Sequence, residues 1–199
     1  MSSDVAAPGP FDFSRAMRRL CEDLVARLPE FHHVAMDQVV VTFAQARRRV
    51  AHGLQAKLTP LRFQNGRMTT HRHGREWTIQ RLYQGEAEML YILTFYLPRF
   101  QDQSFREKLI TIVHELFHIS PQFDGDIRRL TGHYHVHSHS QKEYDQQMGL
   151  LVDQYFATRP STDLFAFLRL DFRSLLLKHG GVVGLRVPIP KLIPLSKSA

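Results

Sequence analysis

A single cysteine, Cys21, stands in a chain of 199 residues, which excludes an internal disulfide and any zinc knuckle built from several thiolates. Long apolar runs are also missing. No stretch approaches the ~18 consecutive apolar residues that a membrane-spanning helix needs, so no membrane partner is expected. The first ten residues are small and polar with two prolines and lack the basic-then-apolar layout of a secretory signal. The expected compartment is therefore the cytoplasm, with residues 1–10 a disordered lead-in.

Acidic residues are scarce from Arg47 to Arg81. There, nine cations (Arg47, Arg48, Arg49, Lys57, Arg62, Arg67, Arg72, Arg75 and Arg81) face Glu76 alone, a local balance of +8 within a chain of formal charge +7. With Phe63 and Trp77 interleaved, such a segment suits nucleic acid or an acidic substrate. Arginines scattered over solvated strand faces would need no partner at all.

What remains is an ordinary globular composition, 43% hydrophobic and 23% charged, long enough for one well-packed domain. We expect that domain to span residues 11–179, followed by an extended basic C-terminal arm over residues 180–199. Met17, Leu20, Cys21, Leu24, Val25 and Leu28 recur at helical spacing, so Ser14 to Leu28 reads as an amphipathic helix with Cys21 in its packed face. Strand-like runs follow at Gln38 to Phe43, Leu54 to Phe63, Trp77 to Tyr83 and Met89 to Leu97, separated by turn signals such as Gln64-Asn65-Gly66 and His73-Gly74. Ser104 and Glu107 form a capping box that opens a core-facing helix from about Phe105 to Ile119, stopped by Ser120-Pro121. Ser140 and Glu143 open another helix, which turns Tyr144, Met148, Leu151, Val152 and Tyr155 inward. A final helix is expected from about Thr162 to Lys178. The class is α+β.

The chain holds twelve histidines, and six of them fall between His114 and His139. His114 and His118 sit four apart on the capped helix, so both imidazoles project from one face and can share one zinc ion (Zn2+). Glu115, offset by one position, is placed to act as general base towards a metal-activated water. Two histidines and a glutamate in a buried stretch are costly to keep unless something satisfies them.

A third ligand must come from elsewhere. His133, His135, His137 and His139 alternate by two and point to one side of an extended segment. His139 abuts the positive end of the next helix, and His133 follows the flexible Gly132, which favours His135 and His137 and, of these, His137. Asp124 and Glu143 compete for the role.

The run Val113-His114-Glu115-Leu116-Phe117-His118-Ile119, followed by Phe123-Asp124-Gly125 and Arg128, resembles a family of small metallopeptidases of phages and bacteria within the broad HExxH zincin group. The resemblance spans about Val34 to Phe156. It implies a zincin-like fold, a small mostly antiparallel sheet packed on a buried active-site helix with further helices towards the C-terminus. It also implies zinc on His114 and His118, Glu115 as catalytic base, a downstream histidine as third ligand, and a peptide or protein substrate. Tyr134, His135 and Arg128 are candidates to stabilise an oxyanion. Two other functions compete: a nucleic-acid-associated protein with a basic surface, including one that acts on DNA-bound proteins, and a zinc-binding module without proteolysis.

Overall fold

A computed structural model describes residues 9–46, 53–129 and 141–195, and for residues 141–145 the backbone alone. The expected disordered lead-in lies almost wholly outside these residues. The order of elements is β1 (Phe11–Asp12), α1 (Phe13–Arg27), β2 (Val39–Gln45), β3 (Ala56–Pro60), β4 (Thr69–Arg72), β5 (Arg75–Ile79), β6 (Tyr83–Gln84), β7 (Ala87–Glu88), β8 (Tyr91–Leu97), α2 (Phe105–Phe117), α3 (Gln141–Ala157), α4 (Phe172–His179), β9 (Val182–Val183) and β10 (Leu192–Pro194). The protein is α+β, with small sheets that are antiparallel in most of their pairings.

The sheet that matters for the site is β2-β8-β3, in which β8 is central. It pairs in parallel with β2 from Val39↔Tyr91 to Gln45↔Leu97, and antiparallel with β3 from Ala56↔Phe95 to Pro60↔Tyr91. β8 is buried at most of its positions, as the centre of a covered sheet must be. One face carries Val39, Val41, Phe43, Leu58, Leu93 and Phe95 into the main core shared with α1, α2 and α3. Phe13 of α1 sits at its middle, with the rings of Phe43, Phe95, Phe100 and Phe167 centred 5.8–6.1 Å away. Cys21 is completely buried there, and burial pushes its thiol up to about 12, so it acts as packing.

The opposite face of the sheet is only partly covered. Val40, Leu61, Met89 and Ile92 form a second, smaller cluster beneath Ile79, Leu82 and Val187. The chain after α4 reaches this side in extended form, β9 pairing with β1 and β10 adding a third strand to β5 and β4. Part of the basic segment is internally neutralised. Glu88, just beyond that segment, accepts from Arg62 Nη2 at 2.6 Å and from Arg81, and these contacts, chiefly the one with Arg81, hold its carboxyl down at about 2.

The final helix departs from expectation. Instead of one helix over Thr162 to Lys178 there are two 3-10 turns, Thr162–Leu164 and Ala166–Arg169, then a break and α4. The cause is tertiary. Lys108 of α2, 2% exposed, donates through Nζ to the carbonyls of Leu168 (2.9 Å) and Leu170 (2.8 Å). Gln101 Nε2 donates to those of Phe167 (2.8 Å) and Leu170 (2.7 Å). Carbonyls pulled towards these side chains are lost to an i+4 ladder, and Asp171 restarts the helix by accepting from Ser174 N at 2.7 Å. Among the described residues no helix is long and apolar enough to cross a membrane.

Lys108→Met keeps most of the side-chain volume but leaves the buried carbonyl of Leu168 without its side-chain donor and that of Leu170 with Gln101 alone. We expect a loss of about 2–4 kcal/mol, read as a lower urea midpoint at unchanged slope.

Candidate metal centre

The helix carrying the two histidines is fixed at both ends. At its start Glu107 N donates to Ser104 Oγ (3.3 Å) and Ser104 N to Glu107 Oε2 (2.9 Å), the reciprocal box expected from sequence. Leu109, Ile112, Val113 and Leu116 are fully buried along its inner face. At its end His118 is the C-cap, its N–H directed back to the carbonyl of His114.

His114 and His118 come together as their spacing requires. Their Nε2 atoms lie 2.9 Å apart, with ring centroids at 4.6 Å. Both rings are half-buried.

Glu115 is 9% exposed and points to the sheet side of the helix. Its Oε2 accepts from the backbone N–H of Leu58 in β3 at 2.7 Å. Burial pushes its carboxyl up to about 7, against the opposing pull of the Leu58 N–H and the nearby charge of Lys57. The donor is available because of strand phase. Tyr96 N donates to Gln55 O (2.8 Å) and Leu61 N to Leu90 O (2.9 Å), so the odd residues of this segment face β8 and Leu58, between them, faces the free edge. Nothing in the sequence marks Leu58 as part of the site, since it acts through its amide.

Beyond α2 the chain doubles back on the helix end. Ile119 pairs with Ile127, Ser120 N donates to Asp126 O (3.3 Å), and Arg128 N donates to His118 O (2.7 Å). The reversal is shaped by positive φ at Phe123 and Gly125, and by Tyr91, whose hydroxyl accepts from Gly125 N and donates to Asp126 O, both at 2.9 Å. Gly125 is sterically required there: a Cβ would stand 2.5 Å from Arg62 Cγ. Asp124 spends Oδ1 on Asp126 N (3.1 Å), and among the described residues no third histidine, cysteine or carboxylate joins the pair to form a metal-holding group.

Arg128 donates through Nε to Phe117 O (2.7 Å) and lies 4.1 Å over the Phe117 ring, which ties it to the negative end of α2. His33, a residue the sequence did not single out, packs beside it and hydrogen-bonds the backbone of Ile119; burial, then the charge of Arg128, lower its pKa. His133, Tyr134, His135, His137 and His139 lie outside the described residues, as does the side chain of Glu143. Their flanks are placed, however. Arg128 is bonded to His118, and α3 packs on α2 with Arg106 bridging to Asp153 at 2.6 Å.

Two facing imidazoles on a buried helix, beside a glutamate held near neutrality, define a candidate metal-dependent hydrolase. Residues 12–148 match the model of a family described as "Putative phage metallopeptidase", and the chain belongs to that family. Comparison with curated proteins and with solved structures gives no match.

The raised carboxyl of Glu115 makes the metal-free fold sensitive to pH. Its stability is fully present below the ordinary glutamate pKa and is lost as pH rises through about 7, to the order of 3 kcal/mol at pH 8. Metal-free Glu115→Gln should therefore melt well above the parent at pH 8 and alongside it near pH 4.5. A gap that stays constant between those limits would contradict the assignment.

Proposed function

We propose that the protein is a zinc-dependent peptidase acting on peptide or protein in the cytoplasm, with His114, His118 and His137 as metal ligands and Glu115 as general base. The observation that carries this reading is the convergence of two imidazole nitrogens at 2.9 Å on the helix that also bears a buried carboxyl near neutrality. The donor set suits the ion: zinc favours imidazole nitrogen, and catalytic sites use three protein ligands. His137 is supported by the chain reversal, because Arg128 is bonded to His118 and the histidine run begins only five residues further on.

Zinc, when bound, supplies Lewis acidity that polarises a carbonyl and acidifies water. The chain's own residues supply the proton handling and the positioning. A carboxyl near neutrality both accepts a proton from attacking water and returns it to the departing amine nitrogen at the same pH. Leu58 N–H holds Oε2 and so fixes the direction from which that proton is taken. The free edge of β3, with the carbonyls of Ala56 and Leu58 directed away from β8, offers an extended peptide a place to add as a strand. Pro60 has no amide to give there, which limits the length of such pairing.

The test combines metal analysis with peptide hydrolysis. Purified protein should carry one zinc, Glu115→Gln should keep it while losing about 10²–10⁴-fold in rate, and His114→Ala or His118→Ala should lose the metal. His137→Ala should weaken zinc binding more than His135→Ala or His139→Ala. Zinc retained with hydrolysis undiminished in Glu115→Gln would overturn the role of the glutamate. A protein that binds zinc and cleaves nothing would be a metal-binding module instead.

A further inference from the structure

The outer face of the β2-β8-β3 sheet carries a cleft that the peptidase reading does not use. Side chains alternate across a strand, so Leu58, in the core, puts Lys57 and Thr59 on the far side. Register places Thr42, Thr94 and Lys57 in one row across the three strands, with Thr42 Oγ1 donating to Thr94 Oγ1 at 3.1 Å. The smaller apolar cluster covers the neighbouring row, Val40 and Ile92, and stops there. The polar row is therefore the floor of an open cleft of about 580 Å³, walled by Tyr96, Arg99 and the C-terminal segment at Val187 and Ile189. That volume falls in the range of ligand sites.

Its charge is one-sided. Lys57 and Arg99 line the cleft and no aspartate or glutamate does. Arg99 is held in place, with Nη1 donating to Leu54 O at 2.8 Å and occupying the space where a Cβ at Gly53 would stand. Ala46, at the cleft's edge, leads in sequence directly into Arg47-Arg48-Arg49.

We infer that this cleft binds single-stranded nucleic acid, with Lys57 and Arg99 receiving phosphates, the threonine hydroxyls bonding the backbone, and Tyr96 offering an aromatic surface to a base. An acidic peptide fits less well. The main-chain groups of central β8 are used by β2 and β3, so the sheet face offers side chains only, whereas an extended peptide needs amide and carbonyl partners. A nucleic-acid strand needs cations, hydroxyls and an aromatic face, which the cleft supplies. A duplex keeps its bases stacked inside and is too wide to enter. The site stands apart from His114, His118 and Glu115, across the sheet from them.

Fluorescence anisotropy of the full-length protein with a labelled oligothymidylate of about 20 nucleotides tests it. We expect binding at low salt that weakens steeply as salt is added. Lys57→Gln with Arg99→Gln should weaken it about tenfold and lower the salt slope by about 0.7 for each cation removed. Arg72→Gln with Arg75→Gln, on the exposed β4–β5 hairpin, should change it little. Glu115→Gln should bind like the parent, which separates this inference from the peptidase reading. If the double variant folds poorly, Lys57→Gln alone carries the test, since that side chain is exposed. Absence of binding at low salt would overturn the proposal. So would equal losses in the hairpin variant, or displacement by poly-glutamate as readily as by unlabelled oligonucleotide.

Discussion

The structure depends on α2 carrying charge into the core and satisfying it with other elements' backbones. Lys108 and Glu115 lie seven residues apart on the buried side of the helix, one a donor and one an acceptor. Among the described residues neither forms an ion pair with an opposite charge. Lys108 takes the carbonyls of Leu168 and Leu170, and Glu115 takes the amide of Leu58. An unpartnered charge at either place would be prohibitive, so helix, connector and strand edge must assemble together. The helix is thus located by two polar clamps as well as by Leu109, Ile112, Val113 and Leu116.

These clamps also explain which parts of the fold were legible in the sequence. Features set locally could be read directly. The Ser104–Glu107 box gives the start of α2, the spacing of Met17, Leu20 and Leu24 gives α1, and the His114–His118 interval gives the facing imidazoles. Features set by distant partners could not. The apolar period from Thr162 to Lys178 is genuinely helical, yet Lys108 and Gln101, some 60 residues earlier, draw off the carbonyls needed to continue it. Likewise the parallel pairing of β2 with β8 leaves no trace in either strand's composition, and the basic run from Arg47 to Arg81 gave no hint that Glu88 would take two of its arginines.

Around the site the same division holds. His114, His118 and Glu115 are adjacent in sequence and came as one motif. The reversal that brings Arg128 back to His118 relies on Tyr91 from the sheet, on Arg62 packed against Gly125, and on Asp126 receiving Asn65 N at 3.0 Å and Arg129 Nη2 at 3.0 Å. The helix bears the chemistry, and the loops from β3 to β4 and after α2 brace one another around its end. Arg128, one of three candidate oxyanion donors in the sequence, donates through Nε to the helix terminus.

The hydrogen bond from Leu58 to Glu115 carries a consequence for inheritance. A backbone amide is supplied by every residue except proline, so position 58 can change its side chain freely, within the limits of packing, and still hold the carboxylate. What has to be conserved is parity. One residue inserted or deleted between Gly53 and Lys57 would slip the pairing of β3 by a single step, turn the amide beside Glu115 towards β8, and exchange Leu58 with Lys57 between core and outer face. The reactive group is thus guarded by the length of a neighbouring segment rather than by its letters.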